Sequence, residues 1–147
     1  MHNISFSFSS IILMYMIPIL YMYSDIALFF LRVVLGIVFI THGSLKIKDL
    51  TKTKDNFASM GFKPAVLLAP VVACAEFGGG VLLLIGFWTQ IVALILAIQF
   101  VVILFWRIRK KQSLVGGYEL DLIILAALIL LASAGSLVYS IDGFFFF

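Results

Sequence analysis

Charge is scarce in this chain. Of 147 residues only 12% are Asp, Glu, Lys or Arg, against 64% that are hydrophobic. That ratio excludes an ordinary soluble domain, and it excludes a disordered segment, which would be polar. Cysteine is scarcer still. Cys74 stands alone, so no dithiol relay can form within the chain, and its apolar neighbours suggest a small core residue. Histidine occurs only as His2 and His42, which sets aside an intrachain bis-His haem or a His-rich metal site. No phosphate loop or dinucleotide fingerprint is present, because Gly78, Gly79 and Gly80 lie inside an apolar run rather than between a strand and a helix. They read instead, with Gly36, as points of close helix packing or bending.

Long apolar runs fill the space that charge leaves. A helix needs about 20 apolar residues to cross a hydrocarbon core of about 30 Å. Four runs qualify: Ile26–Thr41, Pro64–Phe87, Ile91–Trp106 and Tyr118–Ile141. The expected fold is therefore an all-α membrane protein, a four-transmembrane-helix up-down bundle over residues 25–142, with a tail of phenylalanines at 143–147. Residues 1–24 form an apolar extension with neither a basic n-region nor a small-residue cleavage site, so they are not read as a signal peptide. Three readings of the extension stand open: a fifth span turning within Tyr23–Asp25, an interfacial segment, or a stretch upstream of Met22 as the working initiator.

Nine of the ten basic residues fall in two links, residues 43–63 and 107–117. In a four-span chain both links lie on one side, which the positive-inside rule assigns to the cytoplasm of a plasma (inner) membrane. Trp88, Trp106, Tyr118 and Tyr139 mark span ends as an aromatic belt. The net charge of +3 thus reflects topology, with the lipid bilayer as the partner and no nucleic acid. Ile47, Leu50, Phe57 and Met60 recur among five lysines, so part of the first link is expected to lie along the inner surface, broken by Gly61 and Pro64 before the second span.

Glu76 is the most informative residue. A carboxylate at mid-membrane depth costs about 2.5–3.5 kcal/mol on insertion scales, so it needs a partner. At about 1.5 Å per residue from the outer end, Arg32 lies about 10 Å deep, Glu76 about 15 Å, Gln99 about 13–15 Å and Ser133 about 13 Å. These four are expected to form a buried polar cluster, with Arg32 as the partner of Glu76. Helical spacing puts Asp25, Arg32, Gly36, Phe39, Gly43 and Lys46 on one stripe of the first span and Ala69, Ala73, Glu76, Gly80 and Leu83 on one stripe of the second. In the fourth, Glu119, Leu122, Ala126, Ile129, Ser133 and Ser140 line up approximately. The cluster either only holds helix register or lines a cavity for a polar headgroup, a quinone carbonyl or a proton. A second candidate group gathers at the cytoplasmic face: His42, Lys46, Gly116, Gly117, Glu119 and Asp121. Capping and ion pairing explain it, as does a headgroup or cofactor site with His42 exchanging protons.

Several segments together carry a resemblance: LRVVLGIVFITHGSLKI from Leu31, GFKP at Gly61–Pro64, AEFGGGVLLLIGFWTQ from Ala75, GGYELDL from Gly116 and YSID from Tyr139. In order and spacing they resemble the DoxX family of small four-helix membrane proteins, across roughly Asp25 to Asp142. The resemblance implies matching positions at His42 and Lys46, at Glu76 with Gly79 and Gly80, and at Gly116, Gly117 and Glu119. It also implies similarity to a subunit of thiosulfate:quinone oxidoreduction. Three function classes follow. The first is a quinone-linked oxidoreductase subunit with a redox-protein partner, since the chain has no evident cofactor of its own. The second is a non-catalytic membrane module that stabilises or recruits a partner complex, or a homo-oligomer. The third is a small-solute or proton pathway.

Overall fold

In a computed structural model the backbone is described for residues 8–135 and 140–146, and side chains for 23–135 and 140–145. The described residues are helical apart from the links, with no strand among them. Tyr139, expected in the aromatic belt, and Phe147 of the tail lie outside the described residues.

The first helix, α1 (Phe8–Lys48), is the longest. Its 41 residues extend about 60 Å, roughly twice a hydrocarbon core. A separate fifth span would have needed a turn within Tyr23–Asp25, but those residues are helical, so residues 8–24 prolong the first spanning helix. The helix also continues past Thr41, where falling hydropathy had placed its end. A short helix, α2 (Leu50–Ser59), follows; the Asp49 side chain caps it by accepting from the Lys52 N–H at 3.0 Å. Gly61, at φ 89°, then turns the chain toward Pro64, which stands at the N-terminus of α3 (Ala65–Ile85). Gly86, also left-handed, ends α3. Helices α4 (Thr89–Arg109) and α5 (Glu119–Ala134) come next, and Gly135 ends α5 six residues before the expected boundary. The short α6 (Ile141–Phe146) closes the described chain. Residues 23–48, 65–85, 89–109 and 114–134 are each long and apolar enough to span, which makes this an integral multi-pass membrane protein.

The spanning helices pack as two antiparallel pairs, α1 with α3 and α4 with α5, while α3 and α4 touch less extensively. Lipid tails are as apolar as leucine, so close packing rather than water exclusion must hold such helices together. Glycine supplies it in the first pair. A Cβ on Gly36 would lie 3.0 Å from the Gly80 carbonyl oxygen, and one on Gly80 only 2.6 Å from the Ile40 nitrogen. A Cβ on Gly43 would run into the Phe77 backbone. These contacts fix the register: Gly36 is level with Gly80, and Gly43 with Phe77. Gly79 faces α4 instead, where a Cβ would come 3.2 Å from Leu96, whereas Gly78 meets nothing within 4 Å and is no packing point.

The buried face of α3 consists of Ala69, Ala73, Glu76, Gly80 and Leu83, the stripe expected from spacing. In α5 the expected stripe is rotated away from the core. Ile124, Leu125, Leu128 and Leu131 are buried, while Leu122, Ile129 and Ser133 are exposed. The Ser133 hydroxyl donates to the Leu130 carbonyl of its own helix at 3.0 Å. It therefore needs no interior partner, and the bulky aliphatic face takes the core.

Candidate functional site

Glu76 is 2% exposed, and its partner comes from the far end of α1. The Lys46 ammonium and the Gln99 side-chain amide both donate to Glu76 Oε1, each at 2.5 Å. Two local features make this reach possible. Because α1 stays helical to Lys48, Lys46 follows Phe39 and Gly43 by seven and three residues and shares their inward face. Because a glycine occupies position 43, α1 and α3 approach closely there. Glu76 Oε2 is buried and receives no hydrogen bond from the described residues.

The expected Arg32–Glu76 pair does not form. With Gly36 level with Gly80, Arg32 stands near the α3–α4 turn, where its guanidinium occupies the space beside Gly86. Glu76 lies about three helical turns away along the axis. Counting depth from Asp25 misplaces Arg32, because α1 begins well before that residue and Arg32 is level with the α3–α4 turn. Gln99 is where the cluster required it. Ser133, on the exposed side of α5, is not.

A cavity of about 770 Å³ adjoins Glu76. Beyond the contact at Gly79, the segments of α3 and α4 nearer the lysine-rich links form its walls, with Val71, Ala75, Ile98, Gln99 and Val102 among the lining residues. His42 and Lys46 line it from α1, and Asp121 and Ile124 from α5. Helix α2 lies across it, contributing Thr53, Asn56 and Phe57. The Thr53 hydroxyl bonds to the carbonyl oxygens of Lys46 at 3.2 Å and Asp49 at 2.9 Å, and the Trp106 indole N–H donates to the Met60 carbonyl at 2.8 Å. These bonds fasten α2 to both helix pairs. Val71 and Ile98 line the cavity yet are 64% and 59% exposed, so the space opens sideways between α3 and α4, toward lipid.

The two polar groups read from sequence thus merge in part. Glu76 and Gln99 from one share this cavity with His42, Lys46 and Asp121 from the other. Asp121 forms an ion pair with Arg107 at 2.5 Å, and Arg107 also donates to Gln112 Oε1 at 3.0 Å and to the Gly117 carbonyl at 3.4 Å. Gly116 and Glu119 stay outside. Gly116, at φ 72°, makes the turn into α5, and its N–H donates to Glu119 Oε1 at 3.2 Å, a local cap. Thr53, Trp106 and Arg107 were missed as site residues because the first two read as loop and belt and the third as one more interfacial cation.

A second polar centre lies at the opposite end. Asp142, from α6, accepts hydrogen bonds from the Trp88 N–H at 2.8 Å and the Thr89 N–H at 2.9 Å, capping the N-terminus of α4. The Asp142 N–H also donates to the Gly86 carbonyl at 3.0 Å, and beside that same glycine lies the guanidinium of Arg32, which is 1% exposed and 5.4 Å from the Phe29 ring centroid. Arg32 is therefore part of a closure between helix ends, not of the cavity.

The DoxX family profile matches residues 27–107, more than half of the chain. The chain belongs to the DoxX family. Within this DoxX match fall Lys46, Glu76 and Gln99, whereas Asp121 and Asp142 lie beyond it. A Bacillus subtilis (strain 168) protein named "Putative oxidoreductase CatD" is 33% identical over 122 residues, covering 83% of this DoxX chain and 89% of the relative. An Escherichia coli (strain K12) protein, "Inner membrane protein YqjF", is 38% identical over 73 residues, covering 50% of this chain and 55% of the relative. No solved structure matches.

Proposed function

We propose that this DoxX protein holds a membrane quinone in the cavity beside Glu76 and serves as the quinone-linked subunit of an oxidoreductase. The observation that carries the reading is the shape of the site. An apolar space opens toward lipid and ends on Lys46, Glu76 and Gln99, which suits a molecule with an apolar body and a hydrogen-bonding head. Lys46, bonded to Glu76, brings N–H donors to the site, and Gln99 fixes the carboxylate. Reduction of a quinone takes two electrons and two protons. With one cysteine and two histidines in the chain, the electrons come from a redox partner protein. The oxidoreductase name of the Bacillus relative supports this class. The charge asymmetry of the links supports a position of the cavity near the cytoplasmic side of the inner membrane.

The second reading, a non-catalytic module that recruits a partner complex, draws on the buried Arg32 beside Gly86 and on the Asp142 cap of α4, where charged groups serve helix packing and capping. Purification in mild detergent, with identification of co-purifying proteins and extraction of quinone, separates the two. Recovery of a quinone and a flavin-, haem- or iron–sulfur-bearing partner is expected. A partner without quinone selects the recruiting module, and reproducible absence of both discards the oxidoreductase reading.

A further inference from the structure

Glu76 uses only half of its hydrogen-bonding capacity. Both of its donors, Lys46 and Gln99, converge on Oε1, while Oε2 is buried with no donor among the described residues. A carboxylate paired with an ammonium is ionised, and an ionised carboxylate accepts but cannot donate. A buried acceptor left unsatisfied is costly, and charged ones most of all. A molecule entering the cavity therefore gains most if its head brings a hydrogen-bond donor to this carboxylate. The terminal torsion of a glutamate is broad, so a partial rotation can turn the buried Oε2 toward the cavity that Glu76 lines without moving α3.

The oxidised and reduced forms of a quinone differ in this one respect. The quinone carries carbonyls, which can accept from the Lys46 ammonium but set acceptor against acceptor at Glu76. The quinol carries hydroxyls, which donate. We infer that the Glu76 site is selective for the reduced, hydroxyl-bearing form of its ligand, with a quinol hydroxyl donating to the Glu76 carboxylate while the ring lies among the apolar residues between α3 and α4. This rests on the reading of the cavity as a quinone site and adds which redox form the site is built to hold. Hydrogen bonds to charged groups make the expected preference about tenfold to a hundredfold. Each tenfold preference for quinol raises the two-electron potential of the bound couple by about 30 mV.

The test uses the full chain in lipid nanodiscs of neutral phospholipid, with decylubiquinone and its chemically reduced quinol as probes. Bound ligand is measured by rapid filtration and extraction. Quinol is expected to bind at least tenfold more tightly than quinone, and Glu76→Gln, whose amide can also donate, should bring the ratio to within about threefold of unity. Equal affinities in the wild type, or a ratio unchanged by Glu76→Gln, overturn the selectivity while leaving a quinone cavity in place. Absence of binding by either form overturns the cavity reading itself. Should Glu76→Gln fail to accumulate, Gln99→Leu, which leaves the carboxylate, must retain quinol preference; its loss there contradicts the assignment to Glu76.

Discussion

At the scale of single residues, the most exacting demand is charge balance around Glu76. Burying one member of an ion pair without the other is strongly destabilising, whereas replacing both is far better tolerated. Lys46 is partly exposed, with 29% of its side chain accessible, which tempers the penalty. Lys46→Met should lower unfolding stability in detergent by about 2 kcal/mol, and adding Glu76→Gln should restore at least half of it. Thermal unfolding of the two variants side by side checks this, and a double variant no better than the single would contradict the pairing. Glycine gives a second contrast. Gly43→Ala forces a methyl into the Phe77 backbone and should cost about 1–3 kcal/mol, as overpacking does. Gly78→Ala meets open space and should be neutral or slightly stabilising, since alanine is the better helix former. The same thermal scan decides, and equal losses at both positions would refute the register.

The inward stripe of α3 was legible because Ala69, Ala73, Glu76, Gly80 and Leu83 differ in size and polarity from their neighbours, so helical spacing alone picks them out. The partner of Glu76 was not legible. Hydropathy ends the first span near Thr41, because His42 and Lys46 look like interface, yet both remain helical, with His42 exposed at the cavity and Lys46 half-buried against Glu76. Depth counting then promoted Arg32, which stands instead beside Gly86, at the end where the chain that follows α5 brings Asp142 against the start of α4. For α5, small and polar residues misled. A serine bonded to its own helix can face outward, and four large aliphatics were the stronger signal.

At the scale of elements, two fastenings control the molecule. Asp142 joins α6 to the start of α4, doing for that helix what its own N-cap residue, Trp88, cannot, since Trp88 makes no side-chain cap bond. Asp142→Ala should cost about 1–2 kcal/mol as lost capping, with faster amide exchange at Trp88 and Thr89. Unchanged exchange at both amides would show that the cap does not hold. At the other end, the Trp106 indole holds the Met60 carbonyl and so keeps α2 across the cavity. Trp106→Phe preserves the ring and removes the donor. Amide exchange across residues 50–60 should accelerate several-fold in that variant, and α5 should be unaffected. Uniform acceleration throughout the chain would instead indicate general destabilisation.

At the scale of the whole molecule, the two helix pairs and the lysine-rich links divide the protein into unlike ends. One end is closed by Asp142, Arg32 and the α3–α4 turn. The other holds a cavity capped by α2 and bounded by Glu76, so the chemistry and the basic residues share one side. In a Cys74→Ala background, single cysteines at Lys54 and Lys110 should react with a membrane-impermeant thiol reagent from the same face. A cysteine at Phe144, which is highly exposed at the closed end, should react from the opposite face. Labelling of all three from one side would dismantle the topology.

The cavity itself is the claim on which the functional account depends, and Ala75 offers the most direct access to it. This residue lines the space beside Glu76, and a phenylalanine there would fill it while leaving Lys46, Glu76 and Gln99 unchanged. Quinone content per chain, measured by extraction from wild type and Ala75→Phe purified identically, is predicted to be near one in the wild type. In the variant it should fall at least tenfold with little change in thermal stability. Equal quinone content in both proteins would contradict a binding site at Glu76.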